Sequence, residues 1–158
     1  MDELTIREMQ SAMQSGSLTS HRLTQDYLDR IEQIDRGGPQ VNSVIEVNPD
    51  ALAIADALDR ERQAGHVRGP LHGIPILVKD NIEASGLPAC AGSQALLGRP
   101  VAGDAVLVTR LREAGAIVLG STNLSEWANF RSRRSTSGWS AVGGLTGNPW
   151  SLDRSAGG

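Results

Sequence analysis

The sequence predicts an α/β fold in which an N-terminal helical layer rests on a sheet covered by helices. Three observations carry this. Before Gly65, apolar residues recur at helical spacing, as in Leu23, Tyr27 and Ile31. From Gly69 onward, short apolar runs take over, and a strand, helix, strand order with one helix between describes a crossover within a single sheet. The 158 residues amount to one domain, and at that length folding buries roughly two-thirds of the surface an unfolded chain exposes.

Each element has its local reason. Leu4, Ile6, Met9 and Met13 give a first helix a rough apolar face, and Leu23, Tyr27, Leu28, Ile31 and Ile34 give a second helix a clearer one. Thr19 or Ser20 is the expected N-cap of the second, since a hydroxyl there satisfies an N–H that has no partner inside the helix. Gly37-Gly38-Pro39 ends it. Val44 to Val47 reads as a short strand, and Asn48-Pro49-Asp50 reopens a helix through about Ala64, closed by Gly65. Ile74 to Val78 then reads as strand, Asp104 to Ala114 as helix, Ile117 to Leu119 as strand, and Leu124 to Asn129 as a short helix. After Arg131 the chain is rich in Ser, Gly and Thr and reads as loop, reaching Ser155-Ala156-Gly157-Gly158 without a terminal element. Such an ending leaves an open strand edge and exposed apolar faces, so the sequence reads as the N-terminal part of something longer.

Composition narrows the function. A formal charge of −3 and a pI near 5.6 argue against a nucleic-acid partner, and the nearest basic cluster, Arg131, Arg133 and Arg134, reads as a solvated loop. Cys90 is the single cysteine, which excludes an internal disulfide, and no Cys or His lies at metal-ligand spacing. Neither a metal nor a cofactor is expected, and a reducing cytoplasm is the expected compartment. No apolar stretch approaches the ~20 residues of a membrane span, and the acidic start Met1-Asp2-Glu3-Leu4 has no apolar leader core, so no membrane partner is expected.

Lys79 is the only lysine, against fourteen arginines, and it ends the apolar run Ile74-Pro75-Ile76-Leu77-Val78. Arginine stays protonated at any workable pH, whereas a lysine in a dry setting can lose its proton and serve as a base. Two plainer readings stand beside this one. Lys79 is a leftover surface charge in a sequence rich in arginine, or it is buried, paired to Asp80 and structural.

Four blocks bear on that choice: Gly69-Pro70-Leu71-His72-Gly73-Ile74-Pro75-Ile76-Leu77-Val78-Lys79-Asp80-Asn81, Gly115 to Gly120, Thr122 to Phe130, and Gly147-Asn148-Pro149-Trp150. In this order and spacing, from about residue 18 onward, they resemble the amidase signature family. Ser125 to Arg131 and Ser137-Gly138-Trp139-Ser140 are most similar to its peptide amidases, and a tRNA-dependent amidotransferase subunit is less similar there. The resemblance implies a mixed central sheet enclosed by helices, and hydrolysis of a carboxamide, including a peptide C-terminal amide, by a Ser-cisSer-Lys triad. Lys79 matches the lysine of that triad, and Ala128 and Asn129 match the segment that lines the acyl pocket. The relay serine belongs to a Gly-Gly-Ser-Ser-Gly-Gly-Ser signature that this sequence enters only as Gly157-Gly158, so both serines are expected beyond residue 158.

The remaining candidates read more plainly. Ser151 and Ser155 are taken as loop serines, His72 as a turn or core residue, Cys90 as packing among small residues, and Trp127 as core at a helix end. Ser121 departs from the Gly-Lys-Thr-Asn common in the family. In this reading residues 1–65 form the helical layer and 66–158 the first part of the core, within one domain whose C-terminal part is missing. The substrate is a small-molecule or peptide amide, and the expected protein partner is a complementary C-terminal chain. A second reading keeps the fold and makes the chain non-catalytic, either a truncated homologue that is the product of a decayed gene or an assembly piece that needs such a partner.

Overall fold

Thr5 begins the first helix by accepting a hydrogen bond from Glu8 N at 3.3 Å, while the Glu8 carboxylate accepts from Thr5 N at 2.7 Å. This reciprocal box satisfies two N–H groups that a helix start leaves unpaired. In the computed structural model, which describes residues 3–99, 101–130, 133–134 and 136–156, α1 is Ile6–Ser15 and α2 is Ser20–Arg30. Thr19 is the cap of α2, accepting from Arg22 N at 3.0 Å, and a widened helical turn, Ile31–Arg36, extends α2 to Gly37.

Strand β1, Val44–Val47, follows, and its start is held by Asp35, whose carboxylate accepts from Ser43 N at 2.7 Å and Val44 N at 3.0 Å. Helix α3, Ala51–Gln63, opens behind Asn48. That side chain donates to Val118 O at 2.8 Å and accepts from Asp50 N at 3.0 Å, tying the helix start to the sheet. The crossover is then β2, Pro75–Lys79, α4, Val106–Glu113, and β3, Ile117–Thr122.

The sheet has β3 in the centre, with β2 parallel on one side and β1 antiparallel on the other, so it is mixed as the resemblance implies. Alternation along β3 sends its side chains to two cores. Ile117 and Leu119 pack with Ile31, Val44, Ala51, Ala55 and Leu58 on one face, and Val118 packs with Val78, Ala84, Leu87 and Val108 on the other. Helices therefore cover both faces. A third core joins Met9 and Met13 of α1 to Leu23 and Ile74. Gly120 allows the close approach of β1: a Cβ there would lie 2.3 Å from Glu46 O.

Three expectations are corrected. β3 runs to Thr122 rather than Leu119, because Val47, Glu46 and Val44 of β1 pair with residues 120–122. The stretch after Arg131 is more than loop: β4, Trp139–Ser140, pairs with β5, Gly144–Leu145, and β6, Gly147–Asn148, pairs with β7, Ser151–Ser155. Ser151 and Ser155 thus bound a strand. Leu124 to Asn129 holds a tight 3₁₀ turn over Glu126–Asn129 instead of an ordinary helix. The expectations placed on Arg131 and on Gly157-Gly158 lie outside the described residues; Arg133 and Arg134 are exposed. Among the described residues no helix is long and apolar enough to cross a membrane.

Candidate active site

Lys79 is the last residue of β2, opposite Thr122 in the parallel register. Val78 and Asp80 on either side are buried, and Lys79 points away from them and is exposed. Neither of the two buried settings weighed from sequence is found. The amine is not enclosed by the described residues, and Asp80 does not hold it.

Asp80 is instead fully buried and turned to a different loop. One carboxylate oxygen accepts from Gly92 N at 2.9 Å and from the Cys90 thiol at 2.9 Å, and the other faces Cys90 N at 3.5 Å. Its main chain bonds on both sides, N–H to Thr122 O at 3.0 Å and carbonyl from Ala91 N at 3.1 Å. Burial and the adjacent carboxylate push the Cys90 thiol up to about 11, so it stays protonated and donates. Gly92 is required here, with φ +72° and a Cβ that would lie 2.5 Å from Ser140 Cβ.

The block from Thr122 to Phe130 has a structural use that sequence reading did not foresee. Asn123 accepts from Ser140 Oγ at 2.7 Å and donates to Gly144 O and Thr146 Oγ1, each at 3.0 Å. Ser125 Oγ accepts from Gly138 N at 2.8 Å, and Glu126 accepts from Ala141 N at 2.9 Å. Three side chains within four residues therefore clamp the 138–146 segment. Their spacing alone carries no such signal, because the partners lie 13 to 23 positions away.

The turn that follows is left-handed over three successive residues, Trp127 at φ 49°, Ala128 at 52° and Asn129 at 66°. Glycine adopts this region freely and asparagine tolerates it, whereas Trp127 and Ala128 each carry a cost of about 1–2 kcal/mol there. Trp127 N donates to Ala91 O at 3.1 Å, and Asn129 Nδ2 donates to Ser137 Oγ at 3.3 Å. Trp127 is half-buried and packs edge-on to Phe130, ring centroids 6.4 Å apart, and its indole N–H is covered with no partner among the described residues.

Beside this turn lies an open cleft of about 690 Å³ lined by Asn81, Ile82, Leu96, Leu124, Trp127 and Ala128 among others, with Glu83 its one charged wall residue among the described residues. Of the three residues singled out from sequence, Ala128 lines the cleft. Lys79 and Asn129 do not, though the lining begins two residues past Lys79 and includes the neighbour of Asn129. His72 is the core residue expected: it is fully buried, one ring nitrogen bonds Leu58 O at 2.9 Å, and the other accepts from Arg68 N at 3.2 Å. Ser121 is buried with its hydroxyl unpartnered among the described residues. No group of three or more His, Cys, Asp or Glu among them is arranged to hold a metal.

The Amidase family model matches residues 22–158. The chain belongs to the amidase family. It is similar to the crystal structure of the peptide amidase of Stenotrophomonas maltophilia, with 56% identity and a TM-score of 0.96 over 99% of this chain and 32% of that one. It is also similar to an amidase family protein of Bacillus anthracis, at 40% identity and a TM-score of 0.90 over 95% of this chain and 30% of that one. A glutamyl-tRNA(Gln) amidotransferase subunit of Salinispora arenicola is 38% identical over 100% of this chain and 31% of its own length. The preference for peptide amidase over the amidotransferase, read from residues 125–140, holds along the whole chain. The chain spans less than a third of the length of the curated relatives it matches, from 23% to 31%.

Proposed function

We propose that these residues supply the base and one wall of the site of a serine amidase that hydrolyses a carboxamide to acid and ammonia. The observation that carries this is the placement of the sole lysine at the C-terminal end of a parallel strand in a family fold matched at a TM-score of 0.96; the amine is exposed among the described residues, and its role as base requires that the rest of the site cover it. Lys79 acts as general base through a relay serine, a nucleophilic serine forms the acyl intermediate, and Ala128 and Asn129 contact the substrate. Both serines come from the part of the protein beyond these 158 residues. Residues 1–65 are the helical layer and 66–158 the first part of one catalytic domain, working in the cytoplasm. The 56% identity to a peptide amidase supports a peptide C-terminal amide as substrate.

Exposed apolar side chains support an incomplete core surface that the remaining polypeptide, or a complementary chain, covers. Phe130 is 78% exposed and Trp150 92%. The function is tested by incubating the full-length protein with an amidated peptide. Ammonia and the matching free acid are expected. Failure to release ammonia from any carboxamide offered would remove the proposal.

A further inference from the structure

The mechanism leaves a fully buried carboxylate without a role. Asp80 adjoins the residue assigned as base, it has no ion pair among the described residues, and every bond of its side chain goes to Cys90 or Gly92. Between those two, Ala91 bonds Asp80 O through its N–H at 3.1 Å and accepts from Trp127 N at 3.1 Å through its carbonyl. Ala91 and Trp127 both line the cleft, and Ala128 follows directly. A continuous set of short bonds therefore runs from the end of β2 to the left-handed turn.

We propose that Asp80 is a positioning residue: by gripping the Cys90–Gly92 turn it sets where the Trp127–Asn129 wall stands relative to the strand end that carries Lys79. The inference rests on the reading of Lys79, Ala128 and Asn129 as parts of one site. The carboxylate suits this task because it accepts from several donors at once, and its burial makes any misplacement of those donors costly. The Cys90 thiol, held protonated, is a donor to it.

The test compares kcat and KM for an amidated peptide in the full-length enzyme and its Asp80→Asn, Cys90→Ala and Cys90→Ser variants. Asn keeps the shape but replaces one acceptor oxygen with an NH₂, which in either orientation faces a donor, Cys90 N or the thiol and Gly92 N; Ala removes the thiol donor, and Ser restores an O–H donor. A displaced wall weakens substrate binding, so KM rises by about tenfold in Asp80→Asn and measurably in Cys90→Ala, with Cys90→Ser returning it to within about twofold. A role in folding alone lowers the amount of active enzyme, which reduces kcat and leaves KM unchanged; that result in the two disruptive variants overturns the proposal. Should Asp80→Asn not fold, the Cys90 pair decides. Lys79→Ala is the control for the underlying reading: if it turns over normally the assignment of the site fails, and if it is inactive while KM is constant across the other variants, only the role of Asp80 fails.

Discussion

Cys90 shows how one environment settles a side chain's chemistry. A thiol that is buried and bonded to a carboxylate is a donor and not a nucleophile. The linkage has a definite sign. The thiol's pKa is raised from 9.0 to about 11 in the folded chain, so its contribution to stability is complete below about pH 9 and is lost as the pH climbs through about 11. Denaturant titrations of the parent and Cys90→Ser should therefore show the parent losing stability relative to the variant across that window. A difference independent of pH would mean the thiol is not held as described. Lys79 teaches the complementary point: its uniqueness was plain from sequence, but its exposure and separation from Asp80 depend on strand alternation and on which loop the carboxylate reaches.

Among the elements, the turn Glu126–Asn129 departs most from local preference. Three successive left-handed residues without a glycine persist because flanking bonds hold them, from Trp127 N to Ala91 O and from Gly138 N to Ser125 Oγ. Ala128→Gly removes the conformational cost at φ 52° and adds the greater unfolded-state freedom of glycine, which offsets part of the gain. The expected outcome is a stability unchanged or raised by up to about 1 kcal/mol, read from the denaturation midpoint. A clear fall would contradict the left-handed geometry. The helices and the crossover were legible because apolar period and caps are local signals, as Thr19 and Gly37 illustrate. The four short strands after Arg134 were not, since two-residue ladders have no periodicity and depend on distant clamps such as Asn123. The turn at Trp127 was hidden for the same reason, because nothing in Ser125 to Asn129 signals the bonds that reverse its hand.

At the scale of the fold, sheet order places β2 at an edge among the described residues and the family motifs at the strand ends, with cores on both faces. The fold was predicted from the crossover, and its mixed character from family resemblance; the antiparallel pairing of β1 with β3 could not be read from four residues of strand. Of the residues named from sequence, Ala128 lines the cleft while Lys79 and Asn129 do not, and the bonds linking Asp80 to Ala91 to Trp127 emerged only in three dimensions. In the proposed function, the amine at the end of β2 is the base. On that proposal, kcat/KM of the full-length protein for an amidated peptide should drop by about a thousandfold or more in Lys79→Ala with the fold intact by circular dichroism, since the members of a catalytic triad act as a unit. A folded variant that retains most of the parent's kcat/KM would contradict the role given to Lys79.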